Sequence, residues 1–433
     1  MKRRLLAVLL ATSMVLALSA CKGSGSDAGD GDTGKEGDGE KITVLLPNHE
    51  MDTVGFYEEQ TRKFEEETGI TVELINMGWD NVADRVTAEM SSGGSSYDVI
   101  EFDNAWVAKF AENDWLVPLN DYITDDMKNG IVPGLLDKFT YDDQLYGIVW
   151  NNDTRFFMYN KAKLDAAGIK EPPKTYDELM EQTKKLQDAG EVSYGYIDSY
   201  MQAQSGCNEF TQLVYSFGGE FFDASGKPVI DSDPGVKAAY EYLVKAYNDK
   251  VYDPTALTAD YETVANTFYS GTTAFFAQAW PGIYSTANDE NVSTIVGQVE
   301  VADYAISGDG SSQAVLTLPE AMAIPKTSKN PDAAWKYIEY MSSKEFDKLK
   351  ADTIGALPIY TELFSDAELL EKYPYWEQFG KQSEFARGLP DLLWFDEFSN
   401  ILQVETIAII QGEVSVEEGL SEIQKQCEAA MSK

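Results

Sequence analysis

The chain holds a single histidine, His49, followed by Glu50, so every mechanism that needs two imidazoles is excluded. A zinc-binding helix of the protease type would carry a second histidine four residues on, and none is there. Gly29-Asp30-Gly31-Asp32-Thr33-Gly34 fits G-x-G-x-x-G letter for letter. It still fails as a nucleotide loop, because no strand precedes it, no helix follows, and its aspartates would repel a pyrophosphate. The acids around Asp223 are not at calcium-loop spacing. Three cysteines, Cys21, Cys207 and Cys427, allow at most one internal disulfide. Against 34 Lys and Arg stand 73 Asp and Glu, a formal net charge of −39. Phosphate backbones and anionic bilayer surfaces repel such a chain, so nucleic acid is not its partner, whereas neutral or cationic small molecules remain open.

The elements that must position any site alternate between strand and helix. Residues 42–47 read as a strand ended by Pro47, and a helix capped by Asp52 or Thr53 runs to Thr68, where Gly69 stops it. Ile70, Val72 and Leu74 alternate as a second strand. Asp80 is expected to cap the next helix, with Val82, Val86 and Met90 on one face, and residues 97–102 form a third strand. This β-α-β-α-β order argues for a parallel sheet with right-handed crossovers. Ligands of such sheets bind outside the carboxyl ends of the strands. The loops just past those ends carry Asn48-His49-Glu50, Trp79-Asp80 and Asp103-Asn104-Ala105-Trp106. Further on, residues 146–150 and 274–277 read as strands, the second delivering Trp280 at its end. Residues 221–230 read as a hairpin, and 176–186, 234–248 and 331–341 as helices. A last helix pair starts near Asp396 and Ser415; Ser415-Val416-Glu417-Glu418 is a capping box, and Leu420, Ile423 and Cys427 share a core face.

The N-terminus reads as a targeting segment. Lys2, Arg3 and Arg4 precede an apolar run over 5–20. About 24 Å of helix falls short of a ~30 Å hydrocarbon core, so this is a secretory signal peptide rather than a span. Leu18-Ser19-Ala20-Cys21 resembles a bacterial lipobox, in which the cysteine is acylated and becomes the new N-terminus. Residues 21–40 then form a flexible, acidic, glycine-rich linker.

From residue 41 onward the chain resembles the solute-binding lipoproteins of ABC sugar importers, extracellular solute-binding protein family 1, the maltose-binding-like group. The resemblance is carried by Phe64-Glu65-Glu66-Glu67-Thr68-Gly69-Ile70-Thr71-Val72, Tyr146-Gly147-Ile148-Val149-Trp150 and Tyr159-Asn160-Lys161. Its most specific run is Pro172-Pro173-Lys174-Thr175-Tyr176-Asp177-Glu178-Leu179, and Ala323-Ile324-Pro325-Lys326 follows in order. It implies an α/β, two-lobed periplasmic-binding-protein-like (type II) fold with parallel-rich sheets. Chain crossings are expected near 147–152, 301–304 and 352–357, which makes lobe I residues 41–148 plus 303–354 and lobe II residues 149–302 plus 355–433. The implied function is non-enzymatic: a monomer, lipid-anchored through Cys21 on the outer side of the cell membrane, captures a carbohydrate, an oligosaccharide, in the cleft. It delivers the sugar to the permease without cofactor or metal.

A sugar needs a flat ring for its C–H face and carboxylates, amides or Arg for its hydroxyl rim. The resemblance points to Trp280 as the stacking ring, with core packing as the alternative, and to Trp394 before the late helix. Trp79 and Trp106 are further ring candidates from the post-strand loops. Asp103, Asn104, His49, Glu50 and Arg155 are rim candidates, Arg155 being equally suited to a structural ion pair with Asp153 or Asp103. Where relatives carry a Gly-Gly-Trp-like run, this chain reads Leu318-Pro319-Glu320-Ala321-Met322, which adds the Glu320 carboxylate. The competing reading is a secreted glycoside hydrolase, since rings and a carboxylate pair about 5–9 Å apart also make a glycosidase cleft.

Overall fold

Eight strands frame the fold in the computed structural model, which describes residues 40–49, 52–308 and 310–432. They are β1 (Lys41–Pro47), β2 (Thr71–Met77), β3 (Val99–Asp103), β4 (Ile148–Asn151), β5 (Phe156–Asn160), β6 (Phe275–Ala279), β7 (Val299–Val301) and β8 (Glu320–Ala323). The expected signal peptide, the linker, Cys21 and Glu50 lie outside the described residues.

The larger sheet runs β2-β1-β3-β8-β4. β1 pairs in parallel with β2 and β3, as the alternation of the sequence implies. β8 enters antiparallel to both β3 and β4, setting Glu320 opposite Asp103 on one side and Asn151 on the other. The smaller sheet, β6-β5-β7, is antiparallel throughout, so between these two sheets the expected parallel pairing is found at β1 to β3. Residues 305–318 keep company with elements near the smaller sheet. The Tyr176 N–H donates to the Ser307 carbonyl, and Val315–Leu316 pairs in parallel with Ala386–Arg387.

The helices used below are α1 (Phe56–Thr68), α2 (Trp79–Ser92), α3 (Gln204–Ser216), α4 (Tyr261–Tyr269), α5 (Phe395–Ile410) and α6 (Val416–Met431). Asp52 does cap α1, its carboxylate accepting from the Phe56 and Tyr57 N–H groups at 2.7 and 3.0 Å. The capping box of α6 is present, and Cys207 and Cys427 are buried and free. One local expectation is corrected. Asp80 does not cap α2, which starts one residue earlier behind Gly78; its carboxylate instead accepts from the Ser205 N–H and hydroxyl at 3.2 and 3.1 Å, at the start of α3. Residues 221–230 fold back around Ser225-Gly226 as expected, the Asp223 and Val229 N–H groups donating to the Lys227 and Phe221 carbonyls; the hairpin is short, with one bridge, Phe222 to Pro228, and the Asp223 side chain takes the Ser225 and Lys227 N–H groups. Among the described residues no helix is long and apolar enough to cross a membrane.

Candidate functional site

The carboxyl ends of β1, β3 and β4, the start of β8, the end of β6 and the N-terminal ends of α2, α3 and α4 converge on one pocket. Its lining is Pro47, Asn48, His49, Trp79, Asp103, Asn151, Asp153, Arg155, Asn208, Tyr261, Trp280, Pro281, Leu318 and Glu320. Parallel strands end together, so their post-strand loops meet. β8 is antiparallel, so it is its first residue, Glu320, that arrives at the same edge. Pro47 ends β1 by removing a ladder donor, and Asp103 ends β3 by turning back to accept the Ala105 N–H at 2.8 Å.

Glu320 is fixed through both oxygens: the Trp79 indole N–H donates to one at 3.0 Å and the Asn151 amide to the other at 2.7 Å. Arg155, 3% exposed, pairs with Asp153 at 3.1 Å and with Glu209 at 3.6 Å and donates to the Gln278 carbonyl at 3.3 Å. Its guanidinium also lies over the rings of Tyr261 and Trp280, at 4.9 and 5.1 Å from their centroids. Trp280 is itself 5% exposed and meets Tyr261 at 5.0 Å and Phe276 at 5.3 Å. Trp79 faces Tyr261 edge-on at 6.2 Å.

Burial dominates the electrostatics. It pushes the Asp103 carboxyl up to about 7, with the Asp153 charge adding to the rise and Arg155 opposing it. It raises Asp153 as well, against the pull of Arg155. Burial works against the Arg155 charge too, but Asp153, Tyr261 and Glu209 outweigh it and its pKa is raised. His49, packed at 4.9 Å from both Tyr57 and Trp150, is pulled down to about 3 by burial and then by Lys350, so it is neutral at ordinary pH.

Seven of the fourteen lining residues carry a buried polar atom that no protein group satisfies: His49 Nε2, Asp103 Oδ2, Asn151 Oδ1, Asp153 Oδ1, Arg155 Nε, Asn208 Oδ1 and Trp280 Nε1. Buried polar groups are paired in the great majority of cases, and leaving one unmade costs roughly 1–3 kcal/mol. Such a concentration beside three aromatic rings suits a small ligand with many hydrogen-bonding groups. As for metals, His49, Glu101 and Glu320 each offer one ligand atom within 4.8 Å of the others. The Lys350 ammonium, whose field reaches both His49 and Glu320, opposes a cation at that point.

Of the residues expected from sequence, His49, Trp79, Asp103, Arg155, Trp280 and Glu320 are brought together here. Trp106 is not: one turn past Asp103 its ring stacks on Phe110 at 5.8 Å, and its indole N–H donates to Gln204 at 3.1 Å. Asn104 opens that turn and does not line the pocket. Trp394 is held at the start of α5 against Phe222 and Phe398. The alternative weighed for Arg155, an ion pair with Asp153, is present, and Arg155 lines the pocket as well. Asn151, Asn208 and Tyr261 were not anticipated. Asn151 directly follows the strand read over 146–150, which was its one available signal; Asn208 and Tyr261 carry none, being brought in by helix packing.

The model of the family described as bacterial extracellular solute-binding protein matches residues 50–348. A probable amino-acid ABC transporter periplasmic-binding protein of Sinorhizobium fredii is 28% identical over 86% of this chain and 85% of its own length. A diacetylchitobiose binding protein of Streptomyces coelicolor is 25% identical over 83% of this chain and 82% of its own. The structure of T. maritima MalE3 with bound maltose superposes with a TM-score of 0.83, at 26% identity over 90% of this chain and 99% of that one.

Proposed function

The chain belongs to the bacterial extracellular solute-binding protein family, and from that membership we propose that it captures a carbohydrate and delivers it to the membrane permease of an ABC importer. The fold is that of the maltose-binding-like proteins. One observation carries the sugar reading at this site: seven lining residues with unsatisfied buried polar atoms stand beside Trp79, Tyr261 and Trp280. Relatives named for maltotriose and diacetylchitobiose, and a structural neighbour with bound maltose, support the same ligand class. A panel of neutral sugars, short oligosaccharides and alditols, read by thermal shift on the full chain, tests it. A true ligand at about 100 times its Kd adds about 2.7 kcal/mol of stability. The reading fails when no member of the panel raises the melting temperature. The protein binds without chemistry, in line with a family of binding proteins, so an oligosaccharide ligand is recovered intact after long incubation; cleavage would favour the hydrolase.

The two sheets support two lobes with the pocket between them. Residues 305–318 go with the smaller sheet's lobe on the strength of the Val315–Leu316 pairing, which moves the second crossing towards Glu320. Asp80 of α2 and Ser205 of α3 then touch across the cleft, and a ligand that contacts both lobes favours this closed arrangement. The chain acts as a monomer.

Export and anchoring complete the proposal: residues 1–20 are removed, Cys21 is acylated, and residues 21–40 tether the folded part outside the cell membrane. Stable anchoring takes more than one acyl chain or a second signal. Cys21→Ser should therefore move the protein from the membrane fraction to the medium. A Ser variant that stays with the membrane rules out the lipid anchor.

A further inference from the structure

The unsatisfied groups of the pocket are not evenly divided between donors and acceptors. Four are acceptors: Asp103 Oδ2, Asp153 Oδ1, Asn151 Oδ1 and Asn208 Oδ1. The amide of Asn151 is oriented by donation of its Nδ2 to Glu320, and that of Asn208 by donation to the Tyr261 hydroxyl at 3.4 Å, so their oxygens are the ends left over. Two are donors, Arg155 Nε and Trp280 Nε1, and the seventh, His49 Nε2, donates or accepts according to the tautomer of the neutral ring, so acceptors outnumber donors either way. The lining therefore asks for a ligand that donates more hydrogen bonds than it accepts.

Charge points the same way. Asp103, Asp153 and Glu320 line the pocket with Arg155 as the one lining cation, and Arg155 is already shared between Asp153 and Glu209. Lys350, the nearby ammonium, is paired with Asp347 at 3.5 Å. Among the described residues Asp103 forms no ion pair of its own, although it is 2% exposed and one of its oxygens is unmatched. A carboxylate so buried needs a cation or a proton. Ring faces of Trp and Tyr beside it favour a positive group, as the position of Arg155 over two of them already illustrates.

Resting on the carbohydrate reading of this pocket, we infer that its preferred ligand is an amino sugar with an unsubstituted, protonated amine, and that Asp103 is the counter-ion of that ammonium. A charge-assisted hydrogen bond to the unmatched Asp103 oxygen supplies the missing donor, and the hydroxyls serve Asp153, Asn151 and Asn208. Uronic acids and sugar phosphates are rejected, because each would add a negative charge to a buried acidic lining.

Calorimetric titration of the full chain with three sets of sugars tests this. The first set is glucosamine, galactosamine, mannosamine and the β-1,4-linked glucosamine dimer. The second is glucose, galactose, mannose and cellobiose, and the third is the corresponding uronic acids. At least one amine should bind ten times or more tighter than its hydroxyl parent, and the uronic acids should not bind. Asp103→Asn should reduce the amine-to-parent preference towards one. A neutral parent that binds as tightly as its amine, or a uronic acid that binds at all, overturns the amine inference and leaves the carbohydrate reading standing. Failure of all three sets overturns the amine inference, and with the neutral panel also silent the carbohydrate reading falls too. An undiminished preference in a folded Asp103→Asn variant removes Asp103 as counter-ion.

Discussion

Trp280→Ala should weaken ligand binding at least about tenfold and cost the ligand-free protein about 3–5 kcal/mol of stability. From the sequence, ligand contact and core packing are alternatives for this ring; in the structure they coexist. The indole ends β6 and lines the pocket, yet it is 5% exposed and packs on Tyr261, Phe276 and the Arg155 guanidinium. Truncation removes three neighbours' contacts at once and leaves a cavity that only partly collapses. For the ligand, loss of a stacking ring removes about 0.5–1.5 kcal/mol beyond the area it buried. Trp280→Phe separates the two effects, since it keeps a ring against Tyr261 and Phe276 but drops the indole N–H that no protein group satisfies. It should keep most of the stability and still lose affinity. Thermal melts with and without ligand, followed by titration, check both. An alanine variant that melts like the parent, or that binds with parental affinity while folded, contradicts the assignment.

Legibility of the site followed the topology. Each of the first three strands hands residues to the pocket at or just past its carboxyl end: Pro47, Asn48 and His49 from β1, Trp79 after β2 and Asp103 at β3. Parallel neighbours make that a rule of geometry, and the alternation of β2 and the proline that ends β1 make those strands readable. Trp106 escaped because it is the third residue of the tight helical turn that follows Asp103, which swings its ring onto Phe110. β5 and β6 are buried at every position, so they show no alternation and nothing in them reveals an antiparallel sheet. The Asn151–Glu320 contact joins residues 169 apart in sequence, across a strand that enters the larger sheet late and in reverse. Glu320 entered the expectations as a departure from relatives, and its partner could not, because pairing register is set by the whole sheet. Asn208 and Tyr261 sit near the N-terminal ends of helices whose placement is decided by packing, where local pattern is silent about direction.

Arg155→Met should destabilise the protein by about 3–5 kcal/mol at pH 7.5, the cost of breaking a buried ion pair from one side. The guanidinium is the cation shared by Asp153 and Glu209, and Asp198 lies within its field. Asp198 and Glu209 are both raised, first by burial. Methionine fills part of the space but leaves Asp153 buried without its partner. The sign of the pH dependence follows from linkage. Removing Arg155 takes away the interaction that held the Asp153 pKa down against burial, so its folded value climbs further above the unfolded one. An acid with a raised folded pKa contributes stability that is present at low pH and lost as pH rises through that value. The deficit of Arg155→Met relative to the parent should therefore shrink on acidification from pH 7.5 to 5.5, as Asp153 and its neighbours take up protons in place of the lost cation. Chemical denaturation of both proteins at the two pH values measures it. A deficit under about 1 kcal/mol, or one that is equal at both pH values, would mean that Arg155 is not the counter-charge on which the acidic side of this pocket depends.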